Sequence, residues 1–306
     1  MLDAESYALL HDILPAYAPT PEMEPAQARL NAQALGRLLQ GQPVAMPTSE
    51  HSINAGDHEI AVRLYRPQGT TGGWLLWIHG GGFTTGGLDT HDTLCRRLAK
   101  LSGQAVVSLD YRLAPEHPYP AALNDCEAVL SWLFLQADKL SLDPARCAIG
   151  GSSAGGNLAA ALTLRNRDGA RLPIRRQLLV YPSVDATLSS ESVRRHATGY
   201  QLTAAMMQRY LDYYCGDILD RREPHLSPLF APDFSGLPTA NLIIADLDPL
   251  ADEGIAYARS LENADVVVGL RIYDGVMHGF FAQAGVLSKA RDAQAKLCDA
   301  LRADFG

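Results

Sequence analysis

The sequence predicts an α/β protein with a mostly parallel sheet covered by helices on both faces. Three observations predict it. From about residue 58 onward, short apolar runs alternate with helical stretches, the pattern of repeated strand–helix–strand units. Gly151-Ser152-Ser153-Ala154-Gly155 sits between an apolar run and an alanine- and leucine-rich helical run, which puts a serine on a sharp strand-to-helix turn. His79-Gly80-Gly81-Gly82-Phe83 follows directly on the apolar run Trp74–Ile78. In such sheets the functional groups gather just beyond the carboxyl ends of the strands, and both motifs fall there.

Taken in order, residues 1–41 read as helical and separate from the remainder of the chain. Tyr7, Leu10 and Leu14 fall at helical spacing before Pro15, Pro19, Pro21 and Pro25 interrupt. A second helix then carries Leu30, Ala34 and Leu38 on one face, with Gly41 as its C-terminal cap. His58–Pro67 alternates, with Ile60, Val62 and Leu64 on one side, as a half-buried strand should. Trp74–Ile78 is a buried strand, and a helix with Leu94, Leu98 and Leu101 follows it. Next come a strand over Ala105–Leu109, a helix over Ala121–Leu135, and the Cys147–Ile149 strand that leads into the serine turn. Leu178–Tyr181, Asn241–Ala245 and Gly269–Tyr273 are further strands, and Ala290, Ala293, Leu297 and Leu301 mark a closing helix. One stretch breaks the alternation. Between about Ala186 and Pro224 no strand is predicted, but a helix starts after Thr203 as N-cap and ends at Gly216. Its Met206, Met207, Tyr210, Leu211 and Tyr214 form an apolar stripe, which reads first as core packing, while its place after a strand end suits an inserted cap.

Whole-chain properties exclude several function classes. A chain of 306 residues with 47% hydrophobic and 20% charged content is that of a globular protein with a sizeable core. The net charge of −8 speaks against nucleic acid as a partner, because that binding needs a basic footprint. No apolar run approaches a membrane span, and Met1–Ser6 has no basic segment leading into an apolar one, so neither membrane nor signal peptide is expected. Cys95, Cys126, Cys147, Cys215 and Cys298 are odd in number and lack C-x-x-C spacing. Scattered thiols of this kind fit a reducing cytoplasm better than a disulfide framework or a zinc site.

The two glycine-rich motifs point to serine chemistry. G-x-S-x-G on a strand-to-helix turn is a nucleophile elbow, and an H-G-G-G loop two strands earlier supplies backbone N–H groups for an oxyanion. No phosphate-loop or dinucleotide fingerprint competes with it. A serine nucleophile needs a base and an acid that orients the base. Of nine histidines, His278 follows the last strand and comes after the serine in the chain. His11, His51, His58, His91, His196 and His225 fall in helices or loops away from strand ends, His117 in a proline-rich turn, and His79 in the glycine loop. The acid belongs after the Asn241–Ala245 strand, where spacing leaves Asp246 and Asp248 equal. Asp252 and Glu253 fit the first turn of the next helix, and Asp274 lies too near His278 along the chain to face it.

Further motifs complete a pattern. Asp110-Tyr111-Arg112-Leu113-Ala114-Pro115-Glu116-His117-Pro118-Tyr119-Pro120-Ala121-Ala122, Asp248-Pro249-Leu250-Ala251-Asp252-Glu253 and His278-Gly279-Phe280 stand in order around the two glycine motifs. Together they cover roughly residues 60–285, and the chain resembles the hormone-sensitive lipase family of bacterial esterases, which have the α/β-hydrolase fold. The resemblance implies a triad of Ser153, His278 and Asp248, with oxyanion donors on Gly81, Gly82 and Ala154 and supporting positions at His79 and Gly80. It implies a helical cap from residues 1–45 and 186–225 over a catalytic domain of residues 46–185 and 226–306, and a homodimer. The implied substrates are small esters with short to medium acyl chains, turned over through an acyl-enzyme without metal or cofactor. An amide or formamide hydrolase using the same triad, and a non-catalytic small-molecule receptor on the same scaffold, are the alternatives. The chain departs from the family pattern at Ser152, where Asp or Thr usually precedes the nucleophile.

Overall fold

The computed structural model describes residues 1–17, 20–218 and 220–305, so Pro19 of the interrupting prolines lies outside the described residues. The strands are β1 (Thr48–Asn54), β2 (Glu59–Tyr65), β3 (Trp74–Ile78), β4 (Ala105–Leu109), β5 (Cys147–Ser152), β6 (Ile174–Val180), β7 (Thr239–Leu247) and β8 (Val268–Met277). They form one sheet in the order β1-β2-β4-β3-β5-β6-β7-β8, antiparallel at β1/β2 and β2/β4 and parallel elsewhere. The helices are α1 (Ala4–Ala8), α2 (Pro25–Leu39), α3 (Leu88–Ser102), α4 (Ala121–Leu135), α5 (Ala154–Asp168), α6 (Glu191–Arg195), α7 (Ala204–Cys215), α8 (Ala251–Asn263) and α9 (Ser288–Phe305).

Strand β3 shows why the sheet is covered on both sides. All five of its residues are buried. Trp74, Leu76 and Ile78 join one apolar cluster with residues of α4, α5 and α8, and Leu75 and Trp77 join a second with residues of α3 and α9. Successive side chains of a strand point to opposite faces, so an unbroken apolar run serves two cores at once. All five cysteines are buried and free. Among the described residues no helix is long and apolar enough to cross a membrane.

Strand β1 has no counterpart in the sequence prediction. Its residues Thr-Ser-Glu-His-Ser-Ile-Asn are polar, and only Ile53 is buried, opposite Ile60 of β2. It is an edge strand held by backbone hydrogen bonds, which leave no trace in side-chain patterning. His51 accordingly lies in a strand rather than in a helix or loop. β8 runs four residues past its expected end at Tyr273, through Asp274-Gly275 and up to Met277. A register irregularity in β7 between Ala245 and Leu247 lets the pairing continue, to Leu247 opposite Met277.

The N-terminal helices form, but with other faces inward. Of Tyr7, Leu10 and Leu14, only Leu14 is buried, and Leu9 joins it. The cause is a wide π turn over Leu9–Ile13, which shifts the phase of the side chains relative to a regular α-helix. On α2 the expected inward leucines, Leu30 and Leu38, are 59% and 49% exposed. The stripe Ala28, Ala32 and Gly36, one turn apart, faces a cavity instead. Leu35 and Leu39 line the same cavity beside that stripe, and the small residues leave space beneath the helix.

Candidate active site

The elbow is formed by the turn from β5 into α5. Ser153 holds the positive φ of 57° with ψ −120°, and α5 begins at the next residue. Its N–H donates to Val180 O at 2.9 Å, which ties the serine to the end of β6. His278 directly follows β8, and its Nε2 lies 3.0 Å from Ser153 Oγ. Its Nδ1 lies 2.7 Å from Asp248 Oδ2, just beyond β7. Because a carboxylate only accepts, Nδ1 carries the proton and Nε2 is free to accept one from the hydroxyl. Asp248 is fully buried, and its other oxygen accepts from Leu250 N at 2.9 Å. Three strand ends thus bring together groups separated by up to 125 residues. The Tyr181 ring packs on the imidazole, with centroids 4.6 Å apart.

Spacing leaves Asp246 and Asp248 equal, but only Asp248 reaches His278, while one oxygen of Asp246 is buried without a partner among the described residues. Asp274 is exposed on β8. Asp252 and Glu253 do lie in the first turn of α8, where each also holds part of the segment that follows β6. Asp252 accepts from Ser192 N at 2.8 Å and pairs with Arg195 at 3.0 Å. Glu253 Oε1 accepts from Val184 N and Asp185 N at 2.7 and 3.2 Å, and burial pushes its carboxyl well above the usual range. Asn157 on α5 holds two more points of the chain between β6 and β7, donating to Ser183 O at 2.6 Å and to Leu226 O at 2.8 Å. Asn157, Glu253 and Tyr181 are the residues that sequence reasoning missed. Asn157 and Tyr181 sit in elements read only for their apolar pattern, and Glu253 was read as a first-turn carboxylate of α8 without its contacts to Val184 and Asp185.

The glycine loop wraps the amino end of α5. Gly81 has φ +123°, and a Cβ there would stand 2.2 Å from Thr85 O, so only glycine fits. Its carbonyl accepts from Thr84 N and Thr85 N at 3.1 and 2.9 Å. Among the described residues the N–H groups of Gly81 and Gly82 find no acceptor within the protein. Ala154 N–H, as the first of α5, has none within its own helix. His79 is buried and stacked on Tyr111 at 4.1 Å, and its Nδ1 donates to Gly80 O at 2.9 Å. Burial pushes its imidazole down to about 4, and that of the neighbouring His91 to about 3, so both are neutral near pH 7.

Above Ser153 lies a cavity of about 240 Å³. Gly80–Phe83, Ser152, Ser153, Ala154, Tyr181 and His278 border it below, and α2 and α7 border it above. Met206, Met207 and Leu211 of α7 are buried and line it. The stripe expected to be plain core packing is therefore also a cavity wall. Ser152, where the chain departs from the family pattern, lines the cavity beside the serine.

Residues 75–282 match the model of a family described as the alpha/beta hydrolase fold. The chain is 36% identical over 301 residues to an ethyl acetate hydrolase of Pseudomonas putida, covering 95% of this chain and 92% of that one. The chain belongs to the hormone-sensitive lipase family of alpha/beta hydrolases. A carboxylesterase of Mycobacterium tuberculosis is likewise 36% identical to this hydrolase over 304 residues, or 96% of this chain and 93% of that one. A hyperthermophilic esterase from the archaeon Pyrobaculum calidifontis superposes on it with a TM-score of 0.94 at 35% identity, covering 99% of this chain and 98% of that one. In this alpha/beta hydrolase, similarity therefore extends beyond the motifs to both helical segments over the cavity.

Proposed function

We propose that Ser153, His278 and Asp248 form the catalytic triad of a carboxylesterase acting on small esters with short to medium acyl chains. The observation that carries this reading is the hydrogen-bonded line from Ser153 Oγ through His278 to buried Asp248, at 3.0 and 2.7 Å, beneath an apolar cavity. His278 Nε2 takes the proton from Ser153 as its oxygen attacks the ester carbonyl. The oxyanion is received by the N–H groups of Gly81, Gly82 and Ala154, and losing one such donor costs about 3 kcal/mol of barrier. Asp248 fixes the tautomer and stabilises the imidazolium. His278 then protonates the departing alcohol, and water activated by His278 cleaves the acyl-enzyme. His79 and Gly80 support the loop.

The same reading divides the chain into a cap of residues 1–45 and 186–225 over a catalytic domain of residues 46–185 and 226–306. Support comes from the way the insertion leaves and returns at one place: Ala186 N donates to Ser227 Oγ at 2.8 Å, and Leu229 N to Val184 O at 3.1 Å.

Cavity size supports the acyl-length limit. A closed apolar space of about 150 Å³ takes up a benzene ring, so the cavity of about 240 Å³, which opens to solvent, has enclosed room matched to a small acyl or alkyl group. The testing experiment is a p-nitrophenyl ester series on wild type and Ser153→Ala. We expect kcat/KM to peak at butyrate or hexanoate and to fall on the order of a hundredfold by palmitate. Equal turnover of palmitate or of triglyceride emulsions would reject the limit.

A homodimer is part of this proposal. β8 ends the sheet, and Val267 and Ile272 on and beside it are 70% and 47% exposed. A sheet edge with exposed apolar side chains favours pairing with a second copy, and Asp3 N covers this edge only at Gly275 O. Light scattering should give twice the chain mass at micromolar concentration, and a monomer mass there would refute the dimer.

A further inference from the structure

Arg29 of α2 takes no part in the steps above, yet its guanidinium joins three segments. Nε donates to Thr84 O at 2.9 Å, and Nη2 donates to Ala114 O at 3.1 Å. Nη1 and Nη2 donate to the two carboxylate oxygens of Glu116 at 2.8 and 2.6 Å. Glu116 belongs to the Asp110–Ala122 motif, which the catalytic cycle leaves without a role. The side chains are 28% and 52% exposed, and a plain ion pair there would contribute little. A bidentate fork that also holds two backbone carbonyls is a different case, one that a lysine cannot reproduce. Arg29 holds the Glu116 carboxyl down to about 2, so the pair stays ionised at any pH where an esterase works.

What Arg29 holds is the far end of the glycine loop. A carbonyl shares a rigid peptide plane with the N–H of the next residue, so fixing one aims the other. Gly80 O is held by His79 Nδ1, and Gly81 O by Thr84 N and Thr85 N. Those three bonds aim the N–H groups of Gly81 and Gly82. Gly82 O accepts from Thr84 Oγ1 at 3.0 Å, and Phe83 O accepts from Ala114 N at 2.9 Å. The outermost links, Thr84 O and Ala114 O, both end on Arg29. Every carbonyl from Gly80 to Thr84 is thereby occupied, and the last is occupied by a side chain of α2.

We propose that Arg29 is a positioning residue that clasps α2 to the glycine loop and to Glu116, so that the oxyanion donors are aimed only while that helix is seated. The proposal rests on Gly81 and Gly82 being the donors. A loop that loses its clasp still leaves the cavity open to substrate but receives the oxyanion poorly, so the loss falls on kcat.

The test is steady-state kinetics of Arg29→Ala and Arg29→Lys on p-nitrophenyl butyrate, beside Ser153→Ala and with folding checked by circular dichroism. Arg29→Ala should lose kcat by on the order of ten- to a hundredfold with KM within about twofold. Ethylguanidine added to Arg29→Ala should restore part of that loss, and Arg29→Lys should fall between the two. Wild-type kcat in folded Arg29→Ala, a loss confined to KM, or no response to ethylguanidine would each overturn the clasp. Should Arg29→Ala not fold, Arg29→Lys decides: reduced kcat at constant KM supports the clasp, and unchanged kcat overturns it. The Ser153→Ala arm separates the two readings. Turnover surviving there rejects the triad itself, whereas a dead Ser153→Ala beside an unimpaired Arg29→Ala rejects the clasp alone.

Discussion

Ser153→Ala should lower kcat on p-nitrophenyl butyrate by on the order of 10⁴- to 10⁶-fold, the largest change expected from any single substitution in this protein. The substitution removes one oxygen and leaves the surroundings intact. Ser153 N still donates to Val180 O, and its carbonyl still accepts from Asn157 N and Ser183 N. The thermal midpoint should therefore stay within about 2 °C of wild type, since only the hydrogen bond between Ser153 Oγ and His278 is lost and the backbone ties remain. His278→Ala should cost about as much, and the double variant little more, because the groups act as one unit. Ser152→Ala, one residue away, should keep most of its activity, because the Ser152 hydroxyl makes no hydrogen bond to His278, which faces Ser153. Stopped assays with purified protein and differential scanning fluorimetry measure both quantities. Ser153→Ala retaining about a tenth of the wild-type rate would rule out a serine nucleophile at this position.

Gly155→Ala is the second large effect, and it acts on the fold before the chemistry. A Cβ at Gly155 would stand 2.1 Å from Ile78 O and 2.5 Å from His79 O, both backbone atoms. No side chain can swing away to relieve those contacts. Either α5 shifts outward or the end of β3 moves, and with it the start of the glycine loop. Overpacking of this kind costs about 1–3 kcal/mol or more. For a chain of 306 residues that lowers the thermal midpoint by roughly 2–5 °C. Activity should fall further than stability does, on the order of a hundredfold, because displacing the loop by about 1 Å misplaces the proposed oxyanion donors. The measurements are the melting temperature and kcat at a temperature where both proteins are folded. An unchanged midpoint together with full activity would show that β3 and α5 are not in the close contact described.

The sequence was most legible where one residue type is dictated by local physics. Thr203 caps α7 and accepts from Met206 N at 3.2 Å, as a hydroxyl before an apolar helix should. The predicted span of α4, Ala121–Leu135, coincides with the helix observed. The faces of α1 and α2 were illegible for opposite reasons. A π turn alters the helical period without a sequence signature, and α2 turns its small residues inward because it roofs a cavity. β1 was illegible because an edge strand needs no apolar alternation.

By itself, the sequence determined the layered α/β fold, the serine on its turn, the glycine loop and a histidine after the last strand. Each of these depends on local constraints: apolar period, the steric demands of a tight turn, and the chain order of strand ends. Residue spacing left Asp246 and Asp248 equal, and family resemblance favoured Asp248. In the structure Asp248 is the one that meets His278, since their separation depends on how β7 and β8 pair around an irregular register. Tertiary structure alone also turned the methionine stripe of α7 into a cavity wall, set Asn157 and Glu253 against the chain between β6 and β7, and brought Arg29 to Thr84 and Glu116. Contacts between distant segments are fixed by packing, and no local pattern in the chain encodes them.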